Sequence, residues 1–150
     1  HAVLQVTGVT LPTKPGTYRR SGNTSIYWLG PNEWLVTATC DALSLGSALR
    51  QELKGHVAVV DVSGGQTQVN LSGEQVDTLL KKASVYDFGS WAEASDQGGR
   101  CTQSTFASAS ALVAKNVDGS VDLIIRRSFS DYIMQWLLDA VKDTGFKSQV

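Results

Sequence analysis

Net charge is nearly absent from this sequence. Thirteen Lys and Arg stand against 14 Asp and Glu in 150 residues, a formal charge of −1. With no basic field to gather phosphates or anionic headgroups, neither nucleic acid nor a charged membrane surface is expected as a partner. No apolar run approaches the roughly 18 residues of a membrane span. The chain starts at His1 without an initiator Met, and Ala2 to Leu11 lack both the charged start and the long apolar middle of a signal peptide. Cysteine is scarce as well. Cys40 and Cys101 lie far apart, no Cys-x-x-Cys occurs, and two such residues make no disulfide framework. They are expected as reduced, partly buried thiols of a cytoplasmic protein.

The chemistry-bearing motifs are missing too. His1 and His56 are the only histidines, so a zinc site or a Ser-His-Asp triad would have to rest on His56. That residue falls between a helix stop and a strand, where a boundary role is expected. No Gly-x-Gly-x-x-Gly follows a strand and no Walker loop occurs; Gly64-Gly65 and Gly98-Gly99 read as turn glycines. Asp61 and Asp87 could face a ligand, but carboxylates so placed more often bind a backbone N–H or a cation. No catalytic, cofactor-binding or metal-binding residue is expected in this chain.

What is present is an ordinary globular composition, 42% apolar and 18% charged. A chain of this size buries roughly 70% of the surface its unfolded form exposes. Residues 1–23 read as an N-terminal strand over Ala2–Val9 and an exposed arm over Pro12–Asn23, with two prolines, two glycines and three cations. Residues 24–150 read as a single α+β domain. Thr24–Leu29 and Glu33–Ala38 are short strands about a Gly30-Pro31-Asn32 turn, with Trp28 and Trp34 packing across the hairpin. Asp41 caps a helix that runs to about Lys54 with Leu43, Leu45, Leu49 and Leu53 mainly on one face, and Gly55 stops it.

The centre of the chain carries the densest local signals. Val57, Val59, Val60 and Val62 predict a buried strand. Ser63-Gly64-Gly65-Gln66 predicts a tight hairpin turn. Thr67, Val69 and Leu71 alternate with polar residues as a half-buried strand. Ser72 and Gln75 have capping-box spacing for a helix from Gly73 to about Ala83. Strands follow over Arg100–Ala107, Ala109–Lys115 and Val121–Arg126, the last two joined by an Asp118-Gly119 turn. Ser128 and Asp131 have capping-box spacing for a final helix ended by Gly145, with Phe129, Ile133, Trp136, Leu137, Ala140 and Val141 as its stripe. The expected class is α+β, an antiparallel sheet with helices packed on one side.

Two features point outward. The aperiodic segment Ser84–Gly99 holds Tyr86, Phe88 and Trp91, which fold either onto this domain or onto a partner. Arg126-Arg127 precedes a helix N-terminus, where the dipole opposes cations, so the pair is not placed for helix stability. It bridges Asp131, binds an anion, or meets acids on another chain. Tyr86, Phe88, Trp91, Arg126 and Arg127 are therefore the partner-interface candidates.

Four segments in order resemble the gamma subunit of heterotetrameric sarcosine oxidase. They are Leu29-Gly30-Pro31-Asn32-Glu33-Trp34-Leu35, Val59 to Thr67 with Leu71-Ser72-Gly73, Gly99 to Ser104, and Arg126 to Tyr132 with Trp136-Leu137. Ser84–Gly99 departs most from the pattern. The resemblance implies a fold like the first domain of the glycine-cleavage aminomethyltransferase and of a tRNA-modifying GTPase. It implies a small accessory chain that touches the large alpha subunit of a complex that oxidatively demethylates sarcosine, with one-carbon transfer to tetrahydrofolate. FAD, FMN, NAD and the tetrahydrofolate site are then held by other subunits. The alternative is a stand-alone folate-binding or one-carbon transfer module, in which Asp61 or Asp87 supplies the buried carboxylate that pterin recognition needs.

Overall fold

The computed structural model describes residues 1–143 and Gly145. The chain runs α1 (Ala2–Thr7), β1 (Thr17–Ser21), β2 (Thr24–Gly30), β3 (Glu33–Thr37), α2 (Ala42–Glu52), β4 (Gln66–Leu71), α3 (Val76–Ala83), β5 (Gly98–Phe106), β6 (Ala109–Lys115), β7 (Val121–Arg126) and α4 (Ser130–Ala140). All seven strands join one sheet in the order β3-β2-β1-β5-β6-β7-β4, and every pairing is antiparallel. This is the expected α+β class.

Strand alternation assigns the two faces of the sheet. On one face α3 and α4 cover Phe106, Val113, Leu123 and Ile125, while α1 and α2 cover Ile26, Trp34 and Val36. The helices thus share a side. Among the described residues the opposite face has no helix, yet Tyr18, Tyr27, Cys101, Leu112, Ala114 and Ile124 are buried on it against one another. The sheet curls around these residues, so its bare face becomes concave.

Several local expectations hold to the residue. Pro31-Asn32 turns β2 into β3 and sets Trp28 opposite Trp34. Asp41 accepts the Ser44 backbone N–H at 2.8 Å as the N-cap of α2. Of that helix's leucines, Leu49 is buried and Leu45 and Leu53 pack beside it, but Leu43 points to solvent. Asp118 accepts the Ser120 N–H at 2.9 Å in the β6–β7 turn, and β7 spans the predicted residues. In α4, Ile133 and Leu137 are buried as the stripe predicts, Trp136, Ala140 and Val141 pack beside them, and Phe129 stays half exposed.

Others are corrected. Ala2–Val9 is a helix, not a strand. Val3 and Val6 pack with α2, and Gly8 ends the turn at φ 71°; such packing outweighs the few tenths of a kcal/mol by which Val disfavours helix. The segment read as an exposed arm contains β1, which lies between β2 and β5 with Tyr18 and Pro12 buried. Its arginines hid the strand. Val57–Val62 forms no strand; Val57, Val60 and Val62 are exposed. A β-branched run makes a strand only where a neighbouring strand receives it, and none does. Consequently Ser63–Gly65 is a single 3-10 turn closed by Gly65 N–H to Val62 C=O at 2.9 Å, not a hairpin.

Neither capping box forms. The third helix starts at Val76 after a turn at Gly73, and Gln75 makes no side-chain cap. A 3-10 turn over Arg127–Phe129 delays α4 to Ser130, whose Oγ donates to the Arg127 carbonyl at 2.7 Å. Gly98 and Gly99 belong to β5 rather than to a turn. At Gly98, with φ 135°, a Cβ would run into the backbone of Tyr18, so β1 and β5 approach as only glycine allows. The β5–β6 turn is made by Ala107 and Ser108, both at positive φ (47° and 76°), the primed geometry that hairpin twist requires. Donation from the Tyr132 hydroxyl to the Ala107 carbonyl, and from the Ala107 N–H to the Ala83 carbonyl, holds it there.

A polar cleft closed by Arg20 and Asp122

The curl brings the end of β1 and β2 towards β4 and β7, leaving an open cleft of about 490 Å³ between them. Its floor is polar. Arg20 Nε donates to Ser25 Oγ at 2.8 Å, one terminal nitrogen to Asn116 Oδ1 at 2.8 Å, and the other to Asp122 Oδ2 at 3.1 Å. Asn70 Nδ2 donates to the second Asp122 oxygen at 2.7 Å and to Ser120 Oγ at 3.3 Å. Asn116 Nδ2 completes the ring to Ser120 Oγ at 3.0 Å.

Arg20, Asn70 and Asp122 are positioned by their strands, and Asn116 and Ser120 by the β6–β7 turn, which Asn116 N–H closes onto the Ser120 carbonyl at 2.8 Å. Asp122 sits on the concave side of β7 because Leu123 on the other side enters the core. Asn70 stands opposite it across the β4–β7 ladder. Arg20 reaches over from β1 with its guanidinium 5.4 Å from the centre of the Tyr18 ring. Side-chain exposure is 28% for Arg20 and 6% for Asp122, so the pair is largely desolvated. The groups satisfy one another, and no nucleophile faces a base. The arrangement works as a latch across the curl.

Tyr18 lies beneath the latch. It stacks on Tyr27 at 5.3 Å and donates its hydroxyl to the Lys115 carbonyl at 2.9 Å. Burial pushes its pKa up to about 12, against a smaller lowering by Arg20. Burial likewise pushes the Cys101 thiol up to about 12. Both groups hold their protons more tightly folded than unfolded. The stability this contributes is complete below about pH 9, where both are protonated in either state, and is lost as pH rises towards 12. Urea midpoints taken from pH 8 upward are expected to fall above pH 9, and Cys101→Ala is expected to flatten the first part of that fall.

The residues singled out from the sequence are scattered. His56 is exposed at the end of the α2 turn. Asp61 is exposed and accepts the Ser63 hydroxyl and N–H, which hold its pKa below the usual carboxylate range. Asp87 is exposed and caps its own turn at the Gly89 N–H. Phe88 and Trp91 are buried in this chain's own core, 5.2 Å apart edge to face; Tyr86 rests on both, half exposed, and its hydroxyl accepts from Trp91 Nε1 at 3.2 Å. Arg126 and Arg127 are exposed, and among the described residues neither side chain has an acid or hydrogen-bond partner; no bridge to Asp131 forms. Cys40 and Cys101 are both free thiols, and Cys40 is exposed rather than partly buried. Among the described residues no group of three or more His, Cys, Asp or Glu could hold a metal, and no helix is long and apolar enough to cross a membrane.

Arg20, Asn70, Asn116 and Asp122 escape a reading of the sequence. One signal was available: Asp122 is a lone charge inside the apolar run Val121-Asp122-Leu123-Ile124-Ile125. A buried carboxylate needs a partner, but nothing local points to Arg20.

Known proteins align with most of this chain. The model of the Sarcosine oxidase, gamma subunit family matches residues 1–143. The sarcosine oxidase subunit gamma of Corynebacterium sp. strain U-96 is 29% identical over 153 aligned positions, covering 95% of this chain and 69% of the relative. That of an Arthrobacter species is 27% identical over 146, covering 95% and 70%. In structure, a chain of the heterotetrameric sarcosine oxidase from Corynebacterium sp. U-96 in complex with pyrrole 2-carboxylate superposes with a TM-score of 0.84. Its sequence identity is 24%, and the match covers 99% of this chain and 75% of that one.

Proposed function

The chain belongs to the sarcosine oxidase gamma subunit family, and on that premise we propose that it is the accessory subunit of a heterotetrameric oxidase that demethylates sarcosine to glycine, with one-carbon transfer to tetrahydrofolate. The observation that carries this is the family match across residues 1–143. The large alpha subunit is its chief partner in this reading. FAD, FMN, NAD and tetrahydrofolate are bound by the other subunits, oxidation takes place there, and this chain contributes to assembly. Two free thiols fit a cytoplasmic location.

The internally satisfied polar ring supports a structural part for the cleft, since hydrogen-bonding groups already paired gain little from a ligand. The rival reading, a stand-alone folate module, drew its carboxylate from Asp61 or Asp87. Both are exposed and bonded to their own turns. The buried carboxylate is Asp122, and Arg20 and Asn70 occupy it. Co-expression with the other oxidase subunits tests the proposal: the chain is expected to co-elute with flavin absorbance in one complex. Elution alone, with the flavoprotein subunits assembled without it, would sink it.

A further inference from the structure

Three features meet at one rim of the sheet. The first is an open edge. β4 pairs only with β7, and among the described residues no backbone group of Gln66–Leu71 bonds on the outer side. Protective devices are missing from this edge: Gln-Thr-Gln-Val-Asn-Leu contains no Lys, no Pro and no bulge. The second is apolar surface. Val60, Val62 and Phe129 are 73%, 43% and 41% exposed, and the 3-10 turns at 63–65 and 127–129 pack against each other, which gathers these residues at the start of β4. The third is positive charge. Arg126, opposite Gln66 at that point, and Arg127 after it have no acid partner among the described residues; Arg50 nearby is engaged, donating to the Val59 carbonyl at 2.8 Å and attracting Asp61. The one acid in the stretch, Asp61, is bonded to Ser63.

We propose that this rim is the docking surface for an extended, acidic segment of another oxidase subunit, which pairs with the outer edge of β4 as an added strand. The inference rests on the accessory-subunit reading and names the chemistry of its partner. A strand is the element that satisfies a row of free edge groups. Its apolar side chains cover Val60, Val62 and Phe129. Its carboxylates answer Arg126 and Arg127, because an occupant without acids would desolvate two guanidinium groups with no partner.

The full chain, free and assembled with the other subunits, provides the test. Hydrogen exchange is expected to slow at the amides of residues 66–71 on assembly, while α3 amides do not change. Arg126→Glu with Arg127→Glu is expected to weaken assembly at least tenfold and to remove most of its salt dependence; Lys14→Glu with Lys81→Glu, the same charge change elsewhere, leaves assembly as it was. Unchanged exchange at 66–71, or unimpaired assembly of the arginine variant, overturns the docking surface and leaves the function standing. Self-association of the free chain through this edge overturns the choice of occupant. Failure of the wild-type chain to join any oxidase complex overturns the function itself.

Discussion

Arg20→Met is expected to lower the unfolding free energy by about 3–5 kcal/mol, as removal of one partner from a buried ion pair does. The substitution takes three donors at once, from Ser25, Asn116 and Asp122. The Asp122 carboxylate, 6% exposed, is then left with Asn70 alone. Asp122→Leu by itself strands the guanidinium, but Arg20 is 28% exposed and can turn to water, so its cost is smaller, about 2–3 kcal/mol. The double variant is expected to be more stable than Arg20→Met alone, because two apolar groups of similar shape replace a pair whose desolvation offset most of its attraction. Urea unfolding of all four proteins closes the cycle, and a coupling of at least about 2 kcal/mol is expected, since the double variant loses less than Arg20→Met alone. A loss below 1 kcal/mol in Arg20→Met would show that the curl does not depend on this latch.

Phe88→Ala carries the second large effect, a loss of about 3–5 kcal/mol. Phe88 is 4% exposed and joins the cluster of Val113, Leu123, Ile125 and Ile133. The ring also meets Trp91 edge to face, a contact worth about 0.5–1.5 kcal/mol beyond its area. Tyr86→Phe removes only the hydroxyl that accepts from Trp91 and is expected to cost about 1 kcal/mol. Thermal and urea unfolding of the free chain decide the matter. A Phe88→Ala protein with wild-type stability that fails to join the oxidase would return this aromatic group to the interface.

The contrast between these sites shows how far local sequence reaches. The β2–β3 turn, the α2 cap and the β6–β7 turn are each encoded within a few residues: Pro31-Asn32, Asp41 with Ser44, Asp118-Gly119. They could be read because the interaction and its signal are the same few side chains. The strand β1 could not, since its partners are β2 on one side and β5, some eighty residues on, at the other. Val57–Val62 fails for the converse reason: its propensity is strong, but no neighbour takes it up. The latch lies furthest out of reach, because Arg20 and Asp122 are 102 residues apart and each has an ordinary surface reading taken alone. The aromatics of Ser84–Gly99 were ambiguous in kind; a large apolar side chain demands burial, but not in which chain.

The central place of β1 in the sheet also bears on the order in which the protein is made. A ribosome releases β1, β2 and β3 long before Gly98–Arg100, which must pair with Thr17–Arg19. Until then the nascent meander holds Tyr18 and Tyr27 without Cys101, Leu112, Ala114 and Ile124, which share their cluster, and with one strand edge open to other chains. The second half is different. β5, β6, β7 and α4 follow one another through short turns, so their contacts close small loops at low entropic cost. The early-made strands therefore wait on β5, and the meander gains its second neighbour only when Gly98–Arg100 has been made.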